Sequence, residues 1–440
     1  MNILTSILLT QLGCTSPPSS DSLDEAYSTI RYGLGIAERD TTRNIKDNEA
    51  RDRKIRREQA EIAFFNQPEN LAKIEELKNS SDLFAAKKGE AYWRQAILER
   101  SWTQAEKERE EELLARIQTQ RQEETLWTSP DGETEVTLSS SWSRIYSSIP
   151  TPDAATLQDL QSAWVESRTA WIGEDLASLV RLRNEVARRE GFATYWELAL
   201  AHRGLTPEKV EDLSNKLEAM IVPLNQTLAS ERASLSEQYS IPNNWAHQPQ
   251  LAKLSKEFPT GTQVDGAYDA DLAEARLRVL FSDMGLNMED VQVYPGPTRY
   301  TLPGAYGIAI APPDNIAIVI SKDRRWSAWH YQALAHEMGL ATWWRSLPSS
   351  AIDSPVLWDP PTAYFEGIGQ FFERMASRPE FTDRLEDFDP EVDKNLAHWH
   401  WRSTIDGITH YLASTKTEQM LYERPGQWDH IAKEAALLEQ

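Results

Sequence analysis

Leu334-Ala335-His336-Glu337-Met338-Gly339-Leu340, followed 30 residues after His336 by Phe365-Glu366-Gly367-Ile368-Gly369-Gln370, is the stretch from which the rest of the chain is read. A His-Glu pair on a helix, with a second histidine one turn later, puts two imidazoles on one face to bind zinc, and the glutamate polarises the metal-bound water. His336 and Glu337 match the first two positions. Leu340 stands at the second histidine position, and an isobutyl group has no lone pair to donate. A following helix supplies the third ligand in such sites, and Glu366 is the candidate. Asp359 is placed to cap that helix, and Pro360 suits its first turn.

Just upstream the period changes. Tyr306 to Ala311 and Ile316 to Ile320 are β-rich runs flanking Pro312-Pro313-Asp314-Asn315, a hairpin signature. Elsewhere the pattern is helical. From Ser22 to about Thr125 the chain is charged and nearly free of glycine and proline. Between Ala105 and Gln118, Leu113, Leu114 and Ile117 lie among Glu, Lys and Arg, as on an amphipathic helix with one buried stripe. The run Glu108-Arg109-Glu110-Glu111-Glu112 reads as a solvated helix face. Turn signals stand at Ser129-Pro130-Asp131-Gly132 and at Pro150-Thr151-Pro152-Asp153, the second opening another helix. Gly204 ends one helix, and Thr206-Pro207-Glu208 caps and starts the next. No repeat or linker interrupts this pattern. The expectation is one mainly α domain over 24–440, with a small β-hairpin or edge sheet before the zinc helix and the zinc-site subregion at about 300–380.

The 440 residues can bury a sizeable core, and 16 tryptophans with 40% hydrophobic content fit a folded chain. A net charge of −22 repels phosphate backbones, so no nucleic-acid partner is expected. The single cysteine, Cys14, ends a short apolar stretch (Ile3 to Leu9, then Gln11-Leu12-Gly13) and precedes a Pro- and Ser-rich tether. The stretch is too short to span a bilayer but suits an export signal. Gly13-Cys14 resembles a bacterial lipobox, which implies a signal over 1–14, a tether over 15–23 and a lipid-anchored protein of the cell envelope. The other reading is a frayed terminus with an incidental thiol.

The flanks of the site make the motif specific. Leu334-Ala335-His336-Glu337-Met338-Gly339 resembles the zinc helix of the peptidyl-dipeptidase A (angiotensin-converting-enzyme-like) family and its thimet-oligopeptidase relatives. Phe365-Glu366-Gly367-Ile368-Gly369 is similar to their His-Glu-Ala-Ile-Gly segment. Leu179-Val180-Arg181-Leu182-Arg183-Asn184-Glu185 before Gly191-Phe192, and Thr417 to Tyr422 before Pro425, look like two further segments of theirs. This resemblance, from about residue 24 onward, implies a large helical metallopeptidase domain whose cleft hydrolyses short peptides. It carries His336 and Glu366 over as zinc ligands and Glu337 as general base and acid. It also carries Ile316 to Ile320 over as the strand edge that pairs with an extended oligopeptide.

Three departures from that pattern follow. Leu340 removes a ligand, so weak or absent zinc binding is expected. Gln370 stands where one branch has aspartate and the other tolerates glutamine. The chain ends 74 residues after Glu366, short of the family's length, which predicts a C-terminally truncated cleft. Tyr411, Tyr422, His398, His400 and His410 match none of the intermediate-stabilising roles of the missing part. His398-Trp399-His400-Trp401 reads as a packed aromatic helix. His336 has two readings, a zinc ligand or a hydrogen-bonded core histidine. The chain correspondingly has three: a working zinc peptidase, a peptide- or partner-binding pseudopeptidase, or a decayed product.

Overall fold

The computed structural model describes residues 23–123, 125–128, 132, 135–137, 159, 173–239, 270–296, 305–321, 328–347, 358, 360, 362–376, 378, 390–428, 430–431 and 434. Cys14 with its flanks, the helix expected after Pro150, the Asp359 cap, and the side chains of His398 and His400 lie outside them. The described residues form a mainly α architecture with a three-stranded sheet beside the zinc-type helix. None of their helices is long and apolar enough to cross a membrane.

Five helices come first: α1 (Leu23–Arg43), α2 (Asn48–Phe65), α3 (Pro68–Lys78), α4 (Leu83–Glu99) and α5 (Gln104–Glu123). Their starts are chemically marked. Asp47 and Asp82 accept hydrogen bonds from the amides of Ala50 and Ala85. Thr103 and Glu106 form a reciprocal capping box, each side chain bonding the other residue's amide. A hairpin of β1 (Thr125–Thr128) and β2 (Glu135–Thr137) follows, around the turn expected at Gly132. Then come α6 (Glu174–Arg189), α7 (Tyr195–His202) and α8 (Pro207–Tyr239), with Gly204 at φ +71° between the last two as expected.

α9 (Ala270–Asp283) ends at Gly285, whose φ of +78° lets the Leu286 amide reach back to the Phe281 carbonyl. The chain leaves this cap into β3 (Val291–Gly296), then β4 (Ala305–Ala311) and β5 (Asn315–Ser321). β4 and β5 are the expected hairpin. β3, which the sequence reading missed, pairs parallel to β5 on its other side, so the order is β3-β5-β4.

That order corrects one expectation. The run Ile316 to Ile320 is the central strand and has no free edge; the edge next to the site is β4. The physical signal is in the residues. Ile316-Ala317-Ile318-Val319-Ile320 is apolar without alternation and buried on both faces, as a central strand must be. β4 alternates, as an edge strand does. Ile316, Ile318 and Ile320 join the main core with Leu334, Ala335 and Met338 of α10 (Ala328–Ser346). Ala317 and Val319, with Ile308 and Ile310, pack against Tyr32 and Ile36 of α1. Helix α11 (Thr362–Met375) lies against α10, and α12 (Pro390–Glu423) packs on α8 through Ile405, Ile221 and Leu228.

A second correction concerns the charge run on α5. Glu110 and Glu111 are buried, not solvated. Glu110 bridges Lys107 at 3.2 Å and Arg183 of α6 at 2.8 Å, and Glu111 meets Lys54 of α2 at 2.8 Å. Arg183 also donates to the Tyr422 hydroxyl at 3.0 Å, and Asn184 to the Tyr422 carbonyl at 2.8 Å. The Arg-Asn pair and Tyr422 thus form one clamp between α5, α6 and the end of α12. Burial pushes the neighbouring Glu58 and Glu99 carboxyls well above their usual range despite nearby lysines.

Candidate functional site

The site forms where α10, α11 and β4 meet. α10 and α11 approach closely because each offers a glycine to the other. A Cβ on Gly369 would lie 2.4 Å from His336 Nε2, and one on Gly339 would lie 2.7 Å from the Phe372 ring. Phe372 stacks on Phe281 at 4.9 Å, and Phe365 tilts against Trp344 at 4.9 Å, so α11 is held by aromatic packing on both sides of the crossing.

At this crossing the imidazole of His336 lies between two carboxylates. Nε2 is 3.2 Å from Glu366 Oε2, and Nδ1 is 3.1 Å from Glu373 Oε2. Glu366 and Glu373 are seven residues apart, two turns along one face of α11. That spacing was the available signal for Glu373, which the sequence reading missed. Gln370, between them, is not the residue that holds the histidine. Burial alone would lower the His336 pKa, but the bonds to Glu366 and Glu373 and the charge of Glu337 outweigh it and push it up to about 10. The imidazolium can then donate through both nitrogens.

Glu337 points the other way, to the sheet. Its Oε2 accepts the Gly307 amide of β4 at 2.7 Å. Gly307 allows this approach, since a Cβ there would lie 2.8 Å from the same oxygen. Burial lifts the Glu337 carboxyl to about 7, opposed by the charge of His336 and the Gly307 amide. A carboxyl titrating near neutrality is suited to accepting a proton.

The sequence-derived residues are therefore brought together: His336, Glu337 and Glu366 share one site. Leu340, one turn from His336, is 4% exposed and belongs to the main apolar core. His336 Nε2 and the Glu366 carboxylate converge closely enough to share a cation, whereas a catalytic zinc takes three protein ligands. Among the described residues no group of three or more His, Cys, Asp or Glu side chains is arranged to hold a metal. Among the described residues the set supplies two of those three ligands. Tyr422 is buried in the clamp with Arg183.

No family model matches the chain, and no curated protein does. Solved structures do. The fold is similar to PZ peptidase A, solved with an inhibitor, at a TM-score of 0.64 and 15% identity over 94% of this chain and 74% of that one. A protein from Bacillus anthracis str. Ames described as an oligoendopeptidase F aligns at a TM-score of 0.61 and 13% identity, over 94% and 78% of the two chains. Another structure so described gives 0.62 and 16%, over 94% and 75%. At such identities the likeness is one of fold: a helical scaffold shared with peptidases.

Proposed function

We propose that this chain is a peptide-binding protein of the zinc-metallopeptidase type whose hydrolytic power is impaired by Leu340. The carrying observation is the pairing of a converged His336–Glu366 contact with a buried leucine where the third donor would stand. The likeness in fold to peptidases supports the scaffold, and the β4 edge beside Glu337 supports an extended oligopeptide as the ligand. Losing one of three ligands removes on the order of a third of a binding free energy of about 10–16 kcal/mol. That is roughly two to four decades of affinity, so zinc is held weakly.

Metal analysis after gel filtration against trace zinc tests this, together with a quenched-fluorescent-peptide assay and a peptide titration. The expected result is substoichiometric zinc, no turnover, and peptide binding. One zinc per chain retained at nanomolar free metal, with turnover near about 1–10³ s⁻¹, would mark a working peptidase. Neither metal, turnover nor peptide binding would mark a decayed scaffold. The reading extends to the cell envelope through lipidation of Cys14, in which case Cys14→Ser releases the protein from the membrane fraction.

A further inference from the structure

The hairpin of α3 and α4 ends in an exposed apolar pair. Leu83 is 74% exposed and Phe84 60%, and no large apolar side chain among the described residues is more exposed than Leu83. The pair does not belong to a frayed end. Asp82 accepts the Ala85 amide at 2.8 Å, and Ser80 Oγ accepts the Asp82 amide at 3.1 Å, so the turn is capped. Behind the tip the two helices are in close contact, because a Cβ on Gly89 would lie 2.2 Å from the Lys78 amide nitrogen. Two adjacent large apolar side chains held outward by a built turn suit a contact surface rather than a core.

Two further observations indicate what covers it. Between residues 78 and 88 the chain has three lysines, Lys78, Lys87 and Lys88, against one acid, Asp82, a local positive excess in a chain of net charge −22. Glu75 and Glu90 bridge Lys78 and Lys87 at 3.4 and 3.0 Å from further down the two helices, and exposed pairs of this kind are weak. Lys88 meets Asp24 in the first turn of α1, and Tyr92 donates to the same carboxylate at 2.7 Å. The start of α1 is thereby fixed one turn of α4, about 6 Å, beyond Phe84. Asp24 follows Cys14 by ten residues, at most about 36 Å of extended chain. A lipid on Cys14 would therefore hold this pole of the molecule at a bilayer.

We propose that the Leu83–Phe84 tip is a contact with an anionic phospholipid bilayer. The two side chains enter the boundary between headgroups and acyl chains, while Lys78 and Lys87 stay at the charged surface. The proposal rests on the cell-envelope reading above and adds a second point of attachment, which fixes the pole that faces the lipid. Two side chains alone bind reversibly, so the contact orients an anchored chain and does not replace the anchor.

The test uses the acylated full chain, purified from membranes and returned to vesicles of phosphatidylcholine and phosphatidylglycerol that carry a nitroxide lipid. A fluorophore on Ser81→Cys, beside the tip, reads contact with the lipid. One on Ala219→Cys, at an exposed position of α8 next to the exposed Met220, is the control. Quenching at 81 should exceed that at 219 at least threefold. Leu83→Ser with Phe84→Ser should bring it to the control level, with an unchanged circular dichroism spectrum. A bound chain quenched equally at both positions overturns the tip and leaves the anchor standing. A folded tip variant that stays fully quenched counts against the two side chains as the contact. A dimer in gel filtration that only the tip variant dissolves assigns the pair to a second copy of the chain instead. A chain without lipid on Cys14 that stays off the vesicles overturns the anchor, and the tip with it.

Discussion

Gly369 and His336 meet with no room for a methyl group between them, the ideal Cβ of residue 369 lying 2.4 Å from Nε2. Gly369→Ala must therefore displace the imidazole or part α10 from α11. Overpacking of this kind costs about 1–3 kcal/mol, to be read as a lower urea midpoint. Gly367, two residues away on the same helix, is the control, because a Cβ there meets nothing within 4 Å. Gly367→Ala should stabilise by about 0.5–1 kcal/mol through helix propensity. Equal effects from the two substitutions would refute the close approach.

Leu340→His should tighten zinc binding by roughly two to four decades, the share of one restored ligand. The new imidazole would lie one turn from His336 on the same stripe of α10. Competition against a chelator of known affinity measures it, and an unchanged dissociation constant would mean that the stripe does not face Glu366. In that background Glu373→Gln should cost about 10–100-fold in zinc affinity, the usual effect of removing the carboxylate that orients a liganding histidine.

The mainly α architecture and the β4–β5 hairpin were legible in the sequence because each rests on local spacing, and the convergence of His336, Glu337 and Glu366 because their flanks resemble a known zinc-site pattern. Two things were not. β3 contains Pro295 and Gly296 and follows a polar turn at Asn287, whose side chain accepts the Glu289 amide, so only its long-range pairing with Ile316 to Ser321 reveals it. The burial of Glu110 and Glu111 depends on cations from other helices, Lys54 and Arg183, that periodicity along α5 cannot register. Glu373 lay between these cases, visible as a spacing but meaningless until His336 was found opposite it.

Stability should fall as pH rises from about 4.5 to about 8. Burial holds Glu58 at about 7 and Glu99 at about 8, so over this interval the folded chain retains protons that the unfolded chain has already lost. Below about 4.5 both states are protonated and the penalty vanishes. Glu106 acts in the opposite sense: although burial opposes it, bonds from Arg189 and Thr103 lower it to about 2, so its contribution is lost only as pH falls from about 4.5 toward 2. Glu99→Gln should flatten the decline between pH 5 and 8 in urea titrations. A slope identical to the parent protein would rule out Glu99 as a source.

Arg183→Met should cost about 3–5 kcal/mol, because it leaves the buried Glu110 carboxylate without one of its two cations. Adding Glu110→Met should recover much of the loss, since an apolar pair can replace a buried ion pair. A double variant as unstable as the sum of the singles would indicate that the Tyr422 bond, not the ion pair, is what Arg183 contributes.

The same clamp sets an order of events during synthesis. Arg183 and Asn184 find their partner on Tyr422, 239 and 238 positions later. At about 5–20 residues per second the ribosome needs roughly 12–48 s to make that interval. Through that time the first six helices have no α12 to close against, and Asn184 and the aromatic face of Tyr195 wait for it. The interval is one in which a chaperone could engage the nascent chain, and shortening it by circular permutation would change folding yield without altering a single native contact.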